Sequence, residues 1–193
     1  MTVIIGIAGQ MRTGKSSVAK LFSSEFGWPI FSFAGTLRKE LADALYGSVS
    51  KGEDLALHLL EREDKNTIRP LMQAWGQGRR DLMGENYWVH KVAEQIQNCK
   101  QSIVLIDDVR HPNEADYILR NGGILIRLYA DEGTLIERGA EKERLQHYSE
   151  TAMKDITPAE LVNPHRILIV KTSGMTAYGA YKRLLPFVKE MLE

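Results

Sequence analysis

The chain has 193 residues, 44% of them hydrophobic and 26% charged, and its 25 basic and 25 acidic side chains give a formal net charge of zero. This composition suits one compact α/β domain. It argues against nucleic acid as a partner, because nucleic-acid-binding domains usually carry excess positive charge. The one cysteine, Cys99, excludes an internal disulfide and fits a reducing cytoplasm. No apolar run reaches the ~20 residues of a membrane span, so we expect no membrane association, and the N-terminus lacks the basic region of a signal peptide.

The first predicted elements surround residues 9–16, which read Gly-Gln-Met-Arg-Thr-Gly-Lys-Ser and match G-x-x-x-x-G-K-[ST], the pattern of a phosphate-binding loop, or P-loop. An apolar, β-branched run over residues 3–8 predicts a buried strand before the loop, and a helical pattern follows it. Glycines let backbone N–H groups turn toward an anion, and the N-terminus of a helix attracts it. The sequence therefore predicts an ATP phosphate site, formed by Gly9, Arg12, Thr13, Gly14, Lys15, Ser16 and Ser17.

The rest of the chain alternates strands with helices. Apolar runs predict strands over 30–33, 103–106, 124–129 and 166–170. Helical patterns cover 34–46, 69–75, 88–96, 113–120 and 178–192. We expect Gly76 to Gly78 to interrupt the second of these helices and Asn113 to cap the fourth. The polar segment 48–66 could form a mobile flap, and the charged segment 131–148 is expected to be helical. This order predicts a parallel five-stranded sheet with helices on both faces, and ligands at the carboxyl ends of its strands.

Two adjacent acids, Asp107 and Asp108, follow the apolar strand at 103–106. A carboxylate in this position can hold Mg²⁺ together with the hydroxyl of the P-loop serine, so we predict a metal site formed by Ser16 and Asp107. Because side chains alternate along a strand, the two acids should not share one role. They could instead bind an acceptor substrate or simply start a turn.

Arginines recur in the predicted loops and at the starts of helices. Their planar guanidinium groups suit the charge of a transferring phosphoryl group or of a second phosphate-bearing substrate. The candidates are Arg12, Arg38, Arg69, Arg79, Arg80, Arg110, Arg138 and Arg144. For Arg138 and Arg144, which would suit a lid, salt bridges to neighbouring glutamates are an equally good account. Phe33, Trp75 and Trp88 could stack on a base, although core packing suits Trp75 better.

Four further stretches resemble motifs of one enzyme family. They are 31–38 (Phe-Ser-Phe-Ala, then Leu-Arg), 71–89 (Leu-Met-Gln-Ala-Trp-Gly, then Arg-Arg and Tyr-Trp-Val), 107–115 (Asp-Asp-Val-Arg-His-Pro-Asn-Glu-Ala) and 147–150 (His-Tyr-Ser-Glu). Together with the P-loop they resemble the phage and bacterial deoxynucleoside monophosphate (dNMP) kinases of the P-loop nucleoside-monophosphate-kinase-like group. The resemblance spans most of the chain in matching order, and the stretch after Asp107 is its most specific part.

The resemblance implies ATP-dependent transfer of a phosphoryl group to a dNMP, with Mg²⁺ as cofactor. It implies a P-loop NTPase fold in a single domain, with an acceptor-binding insertion over about 34–100 and a short lid over about 131–150. The resemblance suggests that Arg38, Arg79 or Arg80, Asp108, Arg110 and Glu150 face the acceptor or the closed site. We add Phe33, Arg69, Gln73 and Trp88 as candidate acceptor residues. The resemblance also suggests that Lys15 and Ser16 serve ATP and Mg²⁺, and we take Arg12, Lys15, Asp107, Arg110, Arg138 and Arg144 as the candidate catalytic residues. After the last strand, Lys-Thr-Ser-Gly stands where the family often has Asn-x-Gly, which makes Ser173 the candidate adenine contact.

Two other functions remain open from the sequence. A kinase for another small phosphorylated acceptor, such as dephospho-coenzyme A, would show a similar P-loop and fold. A nucleotide-binding regulator would lack the acceptor, which the many arginines argue against. The sequence leaves open the preferred base, the sugar and a homodimer.

Overall fold

The structure of the chain is a computed structural model, and it describes residues 2–46, 60, 65–146, 148–152 and 163–192. The chain divides into two compact units, one formed by Met1–Phe31 with Ile96–Glu193 and the other by Ser32–Gln95. The insertion that the sequence suggests at about 34–100 covers nearly the same residues as the second unit. Most of the segment 48–66, interpreted above as a flap, lies outside the described residues.

The first unit contains the predicted sheet. Its strands are β1 (Val3–Ala8), β2 (Ile30–Phe31), β3 (Ile103–Val109), β4 (Ile124–Tyr129) and β5 (Ile167–Lys171). All neighbouring strands are parallel, in the order β2-β3-β1-β4-β5. The predicted α/β architecture is therefore confirmed, with five parallel strands and helices on both sides of the sheet.

The helices described in the first unit are α1 (Lys15–Phe26), α5 (Pro112–Arg120), α6 (Glu132–Glu137), α7 (Tyr148–Thr151) and α8 (Ala177–Leu192), with short 3₁₀ turns at Lys142–Gln146 and Pro164–Arg166. The core lies where α1 and α8 meet the sheet, and it includes Phe22 and Tyr181. Helix α5 contacts β1 and β4, and Ile118 lies against Gly6. Because helices cover the strands of the sheet, the sequences of these strands are nearly continuously apolar.

The second unit contains α2 (Phe33–Tyr46) and α3 (Lys65–Met83), and α4 (Tyr87–Asn98) begins in it. In a small core, Leu41 and Ala42 of α2 and Leu60 pack against Ile68, Met72 and Trp75 of α3. None of the helices formed by the described residues is long and apolar enough to cross a membrane.

Several predicted boundaries are wrong: β3 continues past residue 106 to Val109, and only Glu132–Glu137 and Lys142–Gln146 are helical within 131–146. Three further differences have identifiable reasons. Strand β2 ends at Phe31, because the Ser32 hydroxyl accepts a hydrogen bond from the Gly35 N–H and caps α2. Helix α5 begins one residue before Asn113, at Pro112, where Pro is favoured as the first helical residue. Helix α3 runs through Gly76 without a break. A Cβ atom on Gly76 would lie 2.6 Å from Leu37 Cδ1, so this glycine allows α2 and α3 to approach closely.

Candidate active site

The P-loop joins β1 to α1 and has a backbone conformation that only some residues accept. Gly9 has φ +144°, and a Cβ atom there would lie 2.2 Å from the carbonyl oxygen of Leu128. Gly14, with φ +96°, precedes the first residue of α1. Arg12 is one of the few residues other than glycine with a positive φ, at 62°. The loop is therefore held in place by its own chain geometry and by close contact with β4.

Lys15 is buried, with 7% of its surface exposed, and its Nζ donates a hydrogen bond to the Gln10 carbonyl at 2.7 Å. Burial and, secondly, the positive charge of Arg110 lower the pKa of Lys15 to about 8, although three nearby acids act in the opposite direction. The ammonium group thus rests on a carbonyl oxygen of the loop itself. Its positive charge is poorly compensated by a neutral carbonyl, and the oxygens of a phosphate would pair with it better.

The two acids of β3 lie at an irregularity of the sheet. Gly6 of β1 pairs with Ile106, whereas Ala8 pairs with Val109, so Asp107 and Asp108 together stand opposite one residue of β1. Such bulges redirect side chains and are common beside active sites. Here both carboxylates lie near enough to Lys15 to oppose the lowering of its pKa.

Asp107 accepts a hydrogen bond from the side chain of Ser16, the second residue of α1. Burial raises the pKa of Asp107, and this hydrogen bond and Lys15 only partly offset the effect. A hydroxyl and a carboxylate in contact provide oxygen ligands, which is the donor set that Mg²⁺ prefers. The described residues contain no group of three or more His, Cys, Asp or Glu side chains suited to a metal. Mg²⁺ does not need one, because it usually keeps several waters and substrate oxygens.

Glu150 connects two parts of this site. One carboxylate oxygen accepts a hydrogen bond from the Met11 N–H of the P-loop at 2.5 Å, and the other pairs with the guanidinium of Arg110. The Glu150 side chain is only 5% exposed. The backbone that carries Arg110 is also held in place, because the buried Glu114 carboxylate accepts from the N–H groups of Arg110 and His111 at 2.8 and 3.0 Å.

Beside the P-loop lies a cleft of about 470 Å³. Its lining residues come from the P-loop with the first turn of α1, from Arg138 and from the segment after β5: Arg12, Thr13, Gly14, Lys15, Ser16, Ser17, Arg138, Thr172, Met175, Thr176, Ala177 and Ala180. The volume is within the range of small-molecule sites. Of the P-loop residues predicted to bind ATP, only Gly9 does not line the cleft.

Arg138 connects its own segment to the P-loop and to the segment after β5 by hydrogen bonds in the wall of this cleft. Its guanidinium donates to the carbonyl oxygens of Arg12, Thr172 and Met175 at 3.3, 2.7 and 3.0 Å, and to the Thr172 hydroxyl at 3.3 Å. The side chain predicted to stabilise the transferring phosphoryl group therefore makes several contacts with the chain itself. Its position in the cleft wall is fixed by them.

Other predicted residues lie elsewhere. The Ser173 hydroxyl accepts from the Asp131 N–H at 2.9 Å and does not line the cleft, in contrast to its neighbour Thr172. Arg144 pairs with Glu141 at 2.7 Å.

The remaining predicted acceptor residues belong to the second unit. Phe33 and Trp88 are buried, and the Trp88 indole donates to the Gly76 carbonyl at 3.1 Å. Arg79 pairs with Glu40. The others are at least partly exposed: Arg38, Arg69, Gln73 and Arg80.

The family model of an AAA domain matches residues 5–155, which is most of the chain. The chain belongs to this AAA domain family. No curated protein matches it closely enough to count as a relative.

Solved structures with a similar fold include TT1252 from Thermus thermophilus (19% identity, 100% of this chain and 98% of that chain covered, TM-score 0.51). They also include a candidate kinase from Chloroflexus aurantiacus (18% identity, 100% and 99% covered, TM-score 0.52) and shikimate kinase from Acinetobacter baumannii in complex with shikimate (14% identity, 98% and 94% covered, TM-score 0.54). At these identities the likeness shows the fold, which is that of the P-loop kinases.

Several residues of this AAA domain's site were missed from the sequence. Thr172, Met175 and Thr176 line the cleft but follow a strand without a recognisable motif. The Gln10 carbonyl, which holds Lys15, is a backbone group that no side-chain pattern can report. Glu114 could have been found, because an acid three residues after the residue that precedes a helix is typical of a capping box.

Proposed function

We propose that the protein is a kinase that transfers the γ-phosphoryl group of ATP to the phosphate of a dNMP, giving ADP and the dNDP. The observation that carries the proposal is the meeting of Lys15, the Ser16–Asp107 pair and Arg110 at the carboxyl ends of β1 and β3, beside a nucleotide-sized cleft. In parallel α/β sheets, ligands bind at this edge.

The chemistry follows from these groups. An acceptor phosphate oxygen attacks the γ-phosphorus, the bond from that phosphorus to the β,γ-bridging oxygen breaks, and the electron pair leaves with ADP. The attacking oxygen already carries negative charge, so the site needs no strong base. When ATP binds, Lys15 leaves the Gln10 carbonyl and binds phosphate oxygens. Arg110 supplies positive charge next to Lys15. Ser16 and Asp107 would hold Mg²⁺, which neutralises charge on the phosphates when bound.

The choice of a dNMP as acceptor rests on the motif resemblance and on the arginines of the second unit. Arg38, Arg69, Arg79 and Arg80 supply four guanidinium groups among the described residues of that unit. Guanidinium groups pair well with phosphate oxygens, and an acceptor without a phosphate gives no reason for so many. We assign the acceptor to this unit and ATP to the first.

The test is a coupled ADP-release assay with purified protein, ATP and Mg²⁺ across all common NMPs and dNMPs, with dephospho-coenzyme A and shikimate in the same panel. We expect one or a few dNMPs to stimulate ADP release, and the dNDP to appear in equal amount. Lys15→Met should abolish the stimulation. Turnover with another acceptor, or ATP hydrolysis that no acceptor changes, would overturn the proposal and favour one of the two other functions.

A further inference from the structure

Three helices of the second unit bring four side chains into one cluster around a carboxylate. Glu40 of α2 accepts hydrogen bonds from the Trp75 indole N–H at 3.1 Å, from Arg79 Nε at 2.6 Å and from the Tyr87 hydroxyl at 2.6 Å. Trp75 and Arg79 belong to α3, and Tyr87 begins α4. The Glu40 side chain is 19% exposed, so the carboxylate is largely enclosed by its donors.

The guanidinium of Arg79 lies over two aromatic rings. Its central carbon is 4.8 Å from the ring centre of Trp75 and 5.7 Å from that of Tyr87. Glu40 binds it through Nε, and no described residue hydrogen-bonds to its two terminal nitrogens. The Arg79 side chain is still 34% exposed. The guanidinium is thus held at Nε by Glu40 and lies near two rings, while the side chain remains partly exposed.

The charge balance of the cluster favours this orientation. Partial burial acts to raise the pKa of Glu40, but the three hydrogen bonds outweigh it and lower the pKa below its usual value. Glu40 therefore stays ionised, and it holds Arg79 by a charge-assisted hydrogen bond. A free arginine samples many rotamers, and binding a ligand with it costs the entropy of all of them. Arg79 has already lost that freedom.

We propose that Glu40 is a positioning residue that fixes Arg79, so that the two terminal nitrogens of Arg79 bind the phosphate monoester of the acceptor. This inference rests on the proposed function for the identity of the ligand. The cluster itself defines the ligand's chemistry: a planar pair of N–H donors, held in one direction, suits the two oxygens of a phosphate group. Trp75 and Tyr87 limit the movement of the guanidinium by packing against it.

The experiment compares Glu40→Gln, Arg79→Lys and the double variant with the wild type. Affinity for each of dAMP, dCMP, dGMP and dTMP is measured by titration calorimetry, and KM and kcat are measured in the assay above. For Glu40→Gln we expect the acceptor Kd and KM to rise about tenfold, as is common when an orienting partner is lost, with the KM for ATP and kcat nearly unchanged. Lys91→Met is the control, because Lys91 is an exposed cation 5.6 Å from the same Tyr87 ring, and it should leave the acceptor KM unchanged.

The double variant separates positioning from a purely structural role. If Glu40 acts through Arg79, Glu40→Gln should add little to the acceptor Kd once Arg79 is lysine. A lower melting temperature with an unchanged acceptor Kd, or a full effect of Glu40→Gln in the Arg79→Lys background, overturns the proposal. A wild type that binds monophosphates through Arg79 without phosphorylating them contradicts the proposed function but not this inference. If the wild type phosphorylates monophosphates and neither variant has an effect, this inference is wrong and the proposed function stands. If the wild type neither binds nor phosphorylates them, the inference and the proposed function are both contradicted.

Discussion

Buried Glu150 and partly exposed Arg110 form an ion pair although 40 residues separate them in the chain, and the second oxygen of Glu150 binds the P-loop at the Met11 N–H. The pair neutralises a cation beside the P-loop lysine, since Lys15 lies close to both partners. The carboxylate therefore acts as an internal anion beside the P-loop. This relationship leads to the first prediction.

Glu150→Gln should lower the free energy of unfolding by about 2–4 kcal/mol, because it leaves Arg110 charged beside Lys15 without its partner. Denaturation in urea without ligand measures the loss. A saturating nucleotide should restore more stability to the variant than to the wild type, since its phosphates replace the missing negative charge. The control is Asp116→Asn, which removes an exposed pair with Arg120 at 3.8 Å and should cost less than about 0.5 kcal/mol. Equal losses in the two variants would contradict the prediction.

The affinity for ATP should fall as the pH rises above about 8, the lowered pKa of Lys15 in the free protein. Below that pH Lys15 is charged with or without ligand and contributes no pH dependence. Above it the free lysine is neutral, and bound phosphate favours the charged form, so binding takes up a proton. Titration between about pH 7 and 9.5 should show this slope in the wild type and not in Lys15→Arg, whose guanidinium stays charged throughout. Parallel slopes would rule out Lys15 as the source.

Gly9→Ala should destabilise the fold more than Gly14→Ala, although both glycines have a positive φ. The new methyl group at position 9 would meet the Leu128 carbonyl at 2.2 Å, whereas nothing lies within 4 Å of the one at position 14. We expect a loss of about 3 kcal/mol or more for the first and about 1–2 kcal/mol for the second. Thermal unfolding without nucleotide measures both, and similar melting temperatures would show that the contact with β4 relaxes easily.

Arg138→Ala should raise the KM for ATP about tenfold or more and affect the KM of the acceptor much less, because Arg138 holds together three segments that surround the cleft. Steady-state kinetics with each substrate varied in turn will show the difference. Lys142→Ala is the matched control in the same segment, since its pair with Glu132 at 3.6 Å is exposed and neither residue lines the cleft. An unchanged KM for ATP in Arg138→Ala would mean that the wall keeps its shape without the arginine.

Asp107→Asn should raise the Mg²⁺ concentration needed for half-maximal activity and lower kcat, and Asp108→Asn should change the Mg²⁺ requirement less. The reason is the hydrogen bond between Ser16 and Asp107, which brings two oxygen ligands together. Because burial raises the pKa of Asp107, wild-type activity should decline on acidification at a higher pH than an ordinary aspartate would cause. Magnesium titrations at several pH values test both statements. An unchanged requirement in Asp107→Asn would remove Asp107 from the metal site.

The sequence by itself determined the sheet and the position of the P-loop. Apolar runs predicted all five strands because a parallel strand covered on both faces must be apolar throughout, and the P-loop pattern is local, since its glycines, Lys15 and Ser16 lie within eight residues. Local patterns also explain the errors. Gly76 was interpreted as a helix break because propensity says nothing of Leu37, the neighbour that requires a glycine there.

Only the tertiary structure decided how the charged side chains are paired. Glu150 contacts Met11 and Arg110 across 139 and 40 residues, and the bulge that places both Asp107 and Asp108 near Lys15 arises from the pairing of β1 with β3. The family motifs included Arg79, Arg110, Glu114 and Glu150, but they did not show that Glu114 and Glu150 hold Arg110, and they left out Glu40, which pairs with Arg79. The physical reason is that charge–charge energies depend on distance and burial, which the chain acquires only when remote segments pack together.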